Sequence, residues 1–366
     1  MRADVAVIGA GCFGVWIAWH LHRAGRRVLL IDAYGAANSR ASSGDESRII
    51  RMGYGPREHY TKWSVESLPL WRALASRTDP SLFHDCGALW MTSGADPFAL
   101  STVAVLEQYD VSHQTLNEHE LRQRFPQFAV PEGSWAILEP EAGALMARRA
   151  IQTLVREMVA EGVTYEQSAV RPGDAVDAEQ IVFACGPWLP ALFPELLGKR
   201  IIPTRQEVLF FGTPSGSDAF SPLRMPCWID VSQQVYGLPD LESRGFKIAN
   251  DRRGAQFNPD TGERTVSAAT IEIVREYLRS RIPALAHAPL LESRVCQYEN
   301  TSNGDYLLDR HPEIENVWLA GGGSGHGFKH GPAVGAYLSG LMLGSGTADE
   351  RFSFSSKAEG ITASSL

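Results

Sequence analysis

Blocks of apolar residues, separated by polar and glycine-rich stretches, divide the chain into predicted strands and helices. The apolar runs 5–8 and 28–31 predict two buried strands, and apolar residues recur between them at helical spacing from Val15 to Leu21. This order of strand, helix and strand predicts a parallel sheet with helices packed against it.

The same pattern continues along the rest of the chain. Helical periodicity predicts helices over 61–75, 96–109, 117–124, 145–162 and 268–280. Short apolar runs predict strands over 87–91, 163–165, 181–183, 207–211, 235–238, 245–248 and 317–320. A glycine-rich loop over 321–327 follows, and Pro332 then opens a helix over 333–343. The short runs within 201–290 predict a mixed sheet.

A glycine motif ends the first predicted strand. It is Gly9-x-Gly11-x-x-Gly14, and the second strand stops at Asp32. Gly9 permits a tight turn, Gly11 lets backbone approach a pyrophosphate, and Gly14 lets the helix pack closely on the strand. The start of the helix attracts phosphates, and Asp32 can accept hydrogen bonds from ribose hydroxyls. The context predicts a dinucleotide site. A glycine-rich turn without a ligand is the alternative, and the motif does not choose between NAD and FAD.

The composition is that of a globular protein of about two domains. Of its 366 residues, 44% are hydrophobic and 21% are charged, and the net charge of −8 favours neither nucleic acid nor an anionic membrane as partner. No apolar run reaches the roughly 20 residues that span a bilayer. The five cysteines are scattered and lack metal-ligand spacing, so we expect a cytoplasmic protein without disulfides or a metal. The oligomeric state stays open between a monomer and a small homo-oligomer.

Two further stretches carry candidate chemistry. Arg48 and Arg51 follow small residues over 41–47, which suit a loop beside a ligand. The two arginines share a face on a helix and oppose each other on a strand, and surface ion pairs would explain them equally well. The loop 321–327 brings a second helix start near the same ligand, where it would stabilise the negative charge of a reduced flavin. This loop favours a flavin over NAD.

Three stretches, besides the N-terminal motif, resemble a known family. They are Ser42-Ser43-Gly44-Asp45-Glu46-Ser47-Arg48-Ile49-Ile50-Arg51-x-x-Tyr54, Cys296-x-Tyr298 followed by Tyr306-Leu307-Leu308-Asp309-x-His311-Pro312, and Gly325-His326-Gly327-Phe328-Lys329. Nearly the whole chain resembles the FAD-dependent amine oxidases of the D-amino-acid-oxidase-like superfamily, in particular the monomeric sarcosine oxidase and N-methyltryptophan oxidase group.

The resemblance implies an α/β fold with a Rossmann-like FAD-binding domain of the glutathione-reductase type. A second, α+β domain with a mixed sheet would bind the substrate. We expect the FAD-binding domain over 1–83, 143–200 and 291–350, the substrate-binding domain over 84–142 and 201–290, and a C-terminal tail over 351–366.

The resemblance also implies three catalytic residues. Arg48 and His326 match the arginine and the histidine beside the flavin, and Lys247 matches the lysine that promotes the reaction of reduced flavin with oxygen. A structural histidine bonded to backbone and a surface lysine are the alternatives for His326 and Lys247.

Three residues are implied for the substrate. Arg51 and Lys329 match the pair that holds a carboxylate, a task that suits two positive groups, and Tyr298 is a candidate to line the same site. A solvent-exposed lysine and a tyrosine that only packs are the alternatives.

Cys296 matches the cysteine that links to FAD through a thioether, although a buried thiol would fit the position as well. The full set of expected cofactor-binding residues is Gly9, Gly11, Gly14, Asp32, Ser42, Ser43, Arg48, Cys296, Gly323, Gly325, His326, Gly327 and Lys329.

The implied reaction oxidises a secondary or primary amine that bears a carboxylate, such as sarcosine or another N-methyl amino acid. The product is an imine, and O2 is reduced to H2O2. An FAD-dependent dehydrogenase that uses another electron acceptor, an NAD-dependent dehydrogenase and a non-catalytic flavoprotein are the alternatives. The chain departs from close relatives where Ser42-Ser43 replaces two histidines and Asp251 replaces another. Because 200–245 matches loosely, the substrate's identity stays open.

Overall fold

The computed structural model describes residues 2–360. Within this range the strands form three β-sheets. The helices are α1 (Cys12–Arg23), α2 (Glu58–Arg77), α3 (Pro97–Gln108), α4 (Glu118–Arg124), α5 (Ala147–Ala160), α6 (Leu189–Leu192), α7 (Pro194–Leu197), α8 (Ala268–Arg281) and α9 (Gly331–Met342). Short 3-10 turns lie at Pro80–Leu82, Gly186–Trp188, Leu241–Ser243, Pro283–Leu285, Phe328–His330 and Glu350–Phe352.

The strands follow the chain in this order: β1 (Ala3–Ile8), β2 (Val28–Ile31), β3 (Arg48–Ile50), β4 (Phe83–His84), β5 (Ala88–Ser93), β6 (Gln114–Leu116), β7 (Ser134–Glu139), β8 (Gly143–Leu145), β9 (Thr164–Glu166), β10 (Ala178–Phe183), β11 (Ile201–Phe211), β12 (Cys227–Asp230), β13 (Val235–Leu238), β14 (Phe246–Asn250), β15 (Leu290–Thr301), β16 (Leu307–Arg310) and β17 (Val317–Gly321). Every predicted helix and strand appears. The strand predicted over 207–211 is longer than expected, because β11 begins at Ile201.

The first sheet has the strand order β16-β17-β10-β1-β2-β9. Only β16 runs antiparallel to its neighbour, and the other neighbouring strands are parallel. Val5 and Val7 of β1 enter one apolar core, while Ala6 and Ile8 enter another on the opposite face. Burial on both faces explains why β1 is a continuous apolar run. The predicted parallel sheet is therefore confirmed.

The second sheet has the order β15-β11-β14-β13-β12-β5-β7-β6. All its neighbouring strands are antiparallel except β12 and β5. The mixed sheet predicted over 201–290 is confirmed, and it extends to strands on both sides of that range. β11 pairs with β15 along its whole length, from Ile201 opposite Thr301 to Phe211 opposite Leu290.

The third sheet is small and fixes the arginine segment. It has the antiparallel order β3-β8-β4, and Arg48 of β3 lies opposite Leu145 of β8. The segment around Arg48 is thus a strand rather than a helix, and Arg51 follows its end. The architecture is the predicted α/β class with a mixed second sheet, while the domain boundaries stay a prediction.

The chain after α9 packs back onto the protein. The ring of Phe352 stacks on Trp63 with centroids 4.6 Å apart, and the side chain of Lys357 is fully buried. Residues 361–366 of the predicted tail lie outside the described residues. Within residues 2–360, none of the helices has both the length and the apolar character needed to cross a membrane.

Candidate active site

A cavity of about 630 Å³ lies where parallel strands of the first sheet end. Ile8, Asp32, Ala184 and Gly321 line it, and they stand at or just after the carboxyl ends of β1, β2, β10 and β17. This edge of a parallel sheet is where ligands bind in open α/β folds. The cavity brings together most of the residues expected to bind the cofactor, namely Gly9, Gly11, Asp32, Ser42, Ser43, Arg48, Cys296, Gly323, Gly325 and Gly327.

The glycine motif shapes the first turn beside this cavity. Gly9 has a φ of +108°, and a Cβ there would lie 2.4 Å from the carbonyl oxygen of Ala184. A Cβ on Gly14 would lie 1.9 Å from the oxygen of Gly9, so Gly14 packs α1 on β1 and does not line the cavity. Gly11 caps α1, so the positive end of that helix dipole faces the cavity. These positions suit a bound pyrophosphate.

Asp32 is held by backbone at the tip of β2. Its carboxylate accepts hydrogen bonds from the N–H groups of Ala10 at 2.7 Å and Tyr34 at 2.8 Å. Burial raises the pKa of Asp32, although these hydrogen bonds oppose the rise. The carboxylate lines the cavity in a fixed orientation, and its role toward a ribose stays a prediction.

A second cavity of about 90 Å³ adjoins the first. The two share lining residues, which are Arg48, Cys296, Tyr298, Gly325 and Phe328. The second cavity also contains Arg51, His326 and Lys329. The predicted substrate residues therefore lie together, next to the cavity that contains the predicted cofactor residues.

Arg51 is a buried cation in this second cavity. Its guanidinium carbon lies 4.3 Å from the ring centres of both Tyr54 and Trp90, and Nη1 donates a 2.5 Å hydrogen bond to the carbonyl oxygen of Gly53. Among residues 2–360, no carboxylate lies within 4.0 Å of this guanidinium. A buried charge without a partner is costly, so the site favours an anionic ligand.

Lys329 provides a second buried amine nearby. Its Nζ donates to the hydroxyl of Tyr54 at 2.8 Å and to the carbonyl oxygen of His326 at 3.0 Å. Burial, reinforced by the positive charge of Arg51, lowers the pKa of Lys329 well below its ordinary value. A carboxylate placed between Arg51 and Lys329 would offset that repulsion and favour the charged lysine.

Gly325 and Tyr298 lie in direct contact between the two cavities. Gly325 has a φ of +82°, and a Cβ there would lie 2.7 Å from the ring of Tyr298. Any side chain at residue 325 would therefore displace the tyrosine. The hydroxyl of Tyr298 donates a 2.8 Å hydrogen bond to Oδ1 of Asp251.

His326 is fixed by a chain of buried hydrogen bonds. Burial and the nearby Lys329 lower its pKa well below the ordinary value, which favours the neutral ring. Because a carbonyl only accepts, Nε2 donates to Gly304 at 3.1 Å, and Nδ1 accepts from the hydroxyl of Tyr306 at 2.8 Å. The Tyr306 oxygen then accepts from Nδ1 of His330 at 2.6 Å. Both ring nitrogens of His326 are engaged, and its catalytic role stays a prediction.

Arg48 and Lys247 share one buried carboxylate, that of Asp45. Arg48 Nη1 lies 2.5 Å and Lys247 Nζ 2.6 Å from Asp45 Oδ2. Burial alone would raise the pKa of Asp45, but Lys247 and Arg48 outweigh it and hold that pKa well below the ordinary range. Lys247 also donates to the Ser47 carbonyl at 2.8 Å and lines neither cavity itself. The predicted oxygen-activating lysine thus lies behind Asp45 and Ser47.

The site contains acidic residues that were not among the predicted site residues. Asp45 and Asp251 line the second cavity, and Glu299 lines the first. Asp45 lies inside the arginine segment and Glu299 directly follows Tyr298, so their positions beside quoted motifs were the available signal. Burial raises the pKa of Glu299 to about 7, opposed by hydrogen bonds from Ser42 and from the backbone of Gly322.

The residues present fit FAD. A glycine-lined cavity of about 630 Å³ at a helix N-terminus suits a dinucleotide. The adjoining cationic cavity suits a small substrate that bears a carboxylate. Within the described chain, no group of three His, Cys, Asp or Glu side chains has the arrangement of a metal site.

Comparison with known proteins agrees with this geometry. The human peroxisomal sarcosine oxidase is 31% identical, and the match covers 93% of this chain and 92% of that protein. The monomeric sarcosine oxidase of Bacillus sp. (strain B-0618) is 30% identical over the same shares of both chains. The L-proline dehydrogenase from P. horikoshii has the same fold, with a TM-score of 0.84, 18% identity, and coverage of 96% of this chain and 97% of that one.

The match to a protein family covers both cavities. Residues 4–341 match the FAD dependent oxidoreductase (DAO) family, a range that includes the glycine motif, the arginine segment and the second glycine loop. The predicted resemblance is confirmed, and FAD is the cofactor. This chain belongs to the DAO family of FAD-dependent oxidoreductases.

Proposed function

We propose that this protein oxidises a small amine that bears a carboxylate, such as sarcosine or another N-methyl amino acid, to an imine, with O2 as the electron acceptor. The observation that carries this proposal is the buried pair of Arg51 and Lys329, which has no carboxylate partner within 4.0 Å among residues 2–360. The sarcosine oxidases among the relatives support an N-methyl amino acid as substrate.

Each group at the site has a separate role in the proposed reaction. When bound, FAD supplies an acceptor for the two electrons of a C–H bond next to nitrogen. Arg51 binds the substrate carboxylate through its planar fork, and Lys329 adds a point charge, which together orient that C–H bond. The positive field of Arg48, Arg51 and Lys329 lowers the pKa of the substrate ammonium and favours the neutral amine that can give up hydride. Water then hydrolyses the released imine.

The size of the second cavity supports a small substrate. Its volume of about 90 Å³ leaves little room for a side chain, and its lining includes the large side chains of Ile229, Tyr236 and Leu238. We therefore place sarcosine and other short amines ahead of N-methyltryptophan.

Cys296 is proposed to link covalently to FAD. Its side chain lines both cavities, and its Sγ lies 3.5 Å from Nη2 of Arg48, so it stands beside the arginine proposed to contact the flavin. Acid precipitation tests the link. Colour that stays with the precipitate of the wild type, and moves to the supernatant for Cys296→Ala, is the expected result.

One observation favours a second candidate, an FAD-dependent dehydrogenase. The ammonium of Lys247 is paired with Asp45 and lines neither cavity, which weakens the positive field available to a developing superoxide. Slow reaction with oxygen would follow from that pairing. An artificial electron acceptor would then restore the oxidised flavin faster than air does.

Anaerobic reduction by a substrate panel tests the proposal. The panel contains sarcosine, other N-methyl amino acids, L-proline, L-pipecolate, D-amino acids and fructosyl amino acids, and flavin absorbance is followed at about 450 nm. Loss of absorbance with one member and rapid return in air establish an oxidase, whereas slow return establishes the dehydrogenase. No loss with any member contradicts both.

The domain boundaries, the compartment and the oligomeric state complete the proposal. The expected domains stay as predicted, with FAD bound mainly by the segments 1–83, 143–200 and 291–350. All five cysteines are unpaired, which supports a reducing compartment such as the cytoplasm. Sedimentation analysis tests the expected monomer or small homo-oligomer.

A further inference from the structure

Asp251 places a negative charge in the cationic second cavity. It directly follows β14 and is half-buried. Tyr298 donates to its Oδ1 at 2.8 Å, and among residues 2–360 no other side chain bonds this carboxylate and no cation lies within 4.0 Å of it. One carboxylate oxygen therefore remains able to bind a group that enters the cavity.

The cavity thus contains charges of both signs that are not paired with each other. Lys329 donates hydrogen bonds to the hydroxyl of Tyr54 and to the carbonyl of His326. Arg51 donates to the carbonyl of Gly53 and lies over two aromatic rings. A zwitterionic amino acid complements this arrangement, because its carboxylate suits Arg51 and Lys329 while its ammonium suits Asp251. A carboxylic acid without an amine would satisfy only the positive side.

We infer that Asp251 receives the substrate's ammonium group and accepts one of its protons, which leaves the neutral amine in place for oxidation. This inference rests on the proposed amine oxidation and deepens it. In the step, one N–H bond breaks as an O–H bond forms on Asp251, and the electron pair of that bond stays on nitrogen. No electrons are transferred, so no oxidant is needed until hydride leaves the adjacent carbon.

The environment of Asp251 suits a proton acceptor. Burial raises its pKa to about 6, against the opposing effects of Tyr298, Arg51 and Lys329. A carboxyl group with a raised pKa holds a transferred proton better than an exposed one does. The titratable and charged groups that interact with Asp251 are Tyr54, Tyr236, Tyr298, Arg51 and Lys329.

Two ligands of similar shape separate this role from general carboxylate binding. N,N-dimethylglycine carries an ammonium, while (methylthio)acetate has an uncharged sulfur at the same place. Both are titrated into the FAD-containing protein, and the change in flavin absorbance gives each Kd. For Asp251→Asn, which keeps the shape and the acceptor oxygen for Tyr298, we expect the Kd of dimethylglycine to rise about tenfold or more and that of (methylthio)acetate to change less than about twofold.

The wild type supplies a second test that does not depend on folding of the variant. Its preference for dimethylglycine should decline as the pH falls from 7.5 to 5, since Asp251 becomes protonated and loses its charge. Equal effects of Asp251→Asn on both ligands, or a preference that does not change with pH, overturn the inference while the carboxylate clamp stands. If the wild type binds neither ligand, the clamp of Arg51 and Lys329 is wrong, and the inference falls with the proposed function.

Discussion

At the scale of single residues, the proposal that Arg51 binds the substrate carboxylate rests on the absence, among residues 2–360, of an anionic partner for this buried side chain. It lies 4.3 Å from the centres of two aromatic rings and donates to one carbonyl, but no carboxylate lies within 4.0 Å of it in the described chain. Replacing it removes the fork that a carboxylate would bind, and the loss of two charge-assisted hydrogen bonds weakens binding by about a hundredfold or more.

We therefore predict that Arg51→Met raises the substrate concentration for half-maximal flavin reduction by about a hundredfold or more, with normal FAD content. Arg51→Lys keeps the charge without the fork, so its half-saturating concentration should lie between those of the wild type and Arg51→Met. Anaerobic stopped-flow reduction over a range of sarcosine concentrations measures this. An unchanged half-saturating concentration in Arg51→Met would show that Arg51 does not bind the substrate carboxylate.

Lys247 offers a prediction about oxygen that has a matched control. Besides Lys329, two lysines of the described residues are buried, Lys247 beside Asp45 and Lys357 among polar groups near the end of the described chain. If O2 is the electron acceptor, Lys247→Met should slow reoxidation of the reduced flavin in air by about a hundredfold, because the positive charge that pairs with Asp45 at the wall of the second cavity is lost. Lys357→Met, measured in the same stopped-flow assay, should reduce stability and leave that rate unchanged. Equal rates for both variants would show that Lys247 has only a structural role.

Sequence motifs identify candidate site residues more readily than the charged groups that pair with them. Arg51, Lys329 and Tyr298 belong to recognisable motifs, and the structure brings them into one cavity. The pairing of Asp45 with Lys247 spans 202 residues, and it depends on the loop before β3 meeting β14. No local sequence pattern shows that this loop contacts β14, so Asp45 could not be assigned from sequence as the partner of Lys247.

The sequence pattern does not predict strand β15, because polar side chains occupy several of its buried positions. Buried residues of β15 interrupt the apolar alternation that predicts strands: Cys296, Gln297 and Glu299, which line the first cavity, and Asn300, which lines neither cavity. β11 was only half predicted for a related reason. Its first half contains Pro203 and pairs with β15 alone among the strands, and a proline is tolerated where one side of a strand is unpaired.

The contact between α1 and α9 gives a prediction at the scale of helices. A Cβ on Gly335 of α9 would lie 2.5 Å from the carbonyl oxygen of Trp16 in α1, so Gly335→Ala must push the helices apart. We expect it to lower the free energy of unfolding by about 1–3 kcal/mol. Gly340→Ala is the control on the same helix, because its nearest neighbours would lie at an ordinary 3.6 Å.

Chemical denaturation of both variants checks this prediction. Gly340→Ala should be neutral or slightly stabilising, since alanine favours a helix interior over glycine by roughly 1 kcal/mol. A similar loss of stability in the two variants would mean that the close approach of α1 and α9 does not limit residue 335.

At the scale of the whole molecule, the cofactor site is assembled from distant segments. The first sheet supplies the glycine motif and Asp32, while β15 of the second sheet supplies Cys296 and Glu299. The separate segments were predictable because each carries a motif or an apolar run. Glu299 is buried where these segments pack together. Its burial could not be predicted from sequence, because it depends on how the two sheets lie relative to each other.

Glu299 links that assembly to stability. The residue is 8% exposed, and burial raises its pKa from the ordinary 4.5 to about 7 in the folded chain. The folded state therefore binds more protons than the unfolded state between these values. The free energy of unfolding falls as the pH rises from about 4.5 to about 7, by roughly 3 kcal/mol if Glu299 titrates alone. Below this window the cost is absent, and above it the cost is complete.

We predict that Glu299→Gln removes most of this decline in the protein freed of FAD. Its melting temperature should exceed that of the wild type at pH 7.5 and approach it at pH 5, because glutamine cannot acquire the buried charge. Glu195→Gln, at an exposed position in α7, should follow the wild type at both pH values. Calorimetry of the three proteins at the two pH values measures the effect. A wild type and a Glu299→Gln variant that differ equally at both pH values would show that charge at residue 299 does not govern stability.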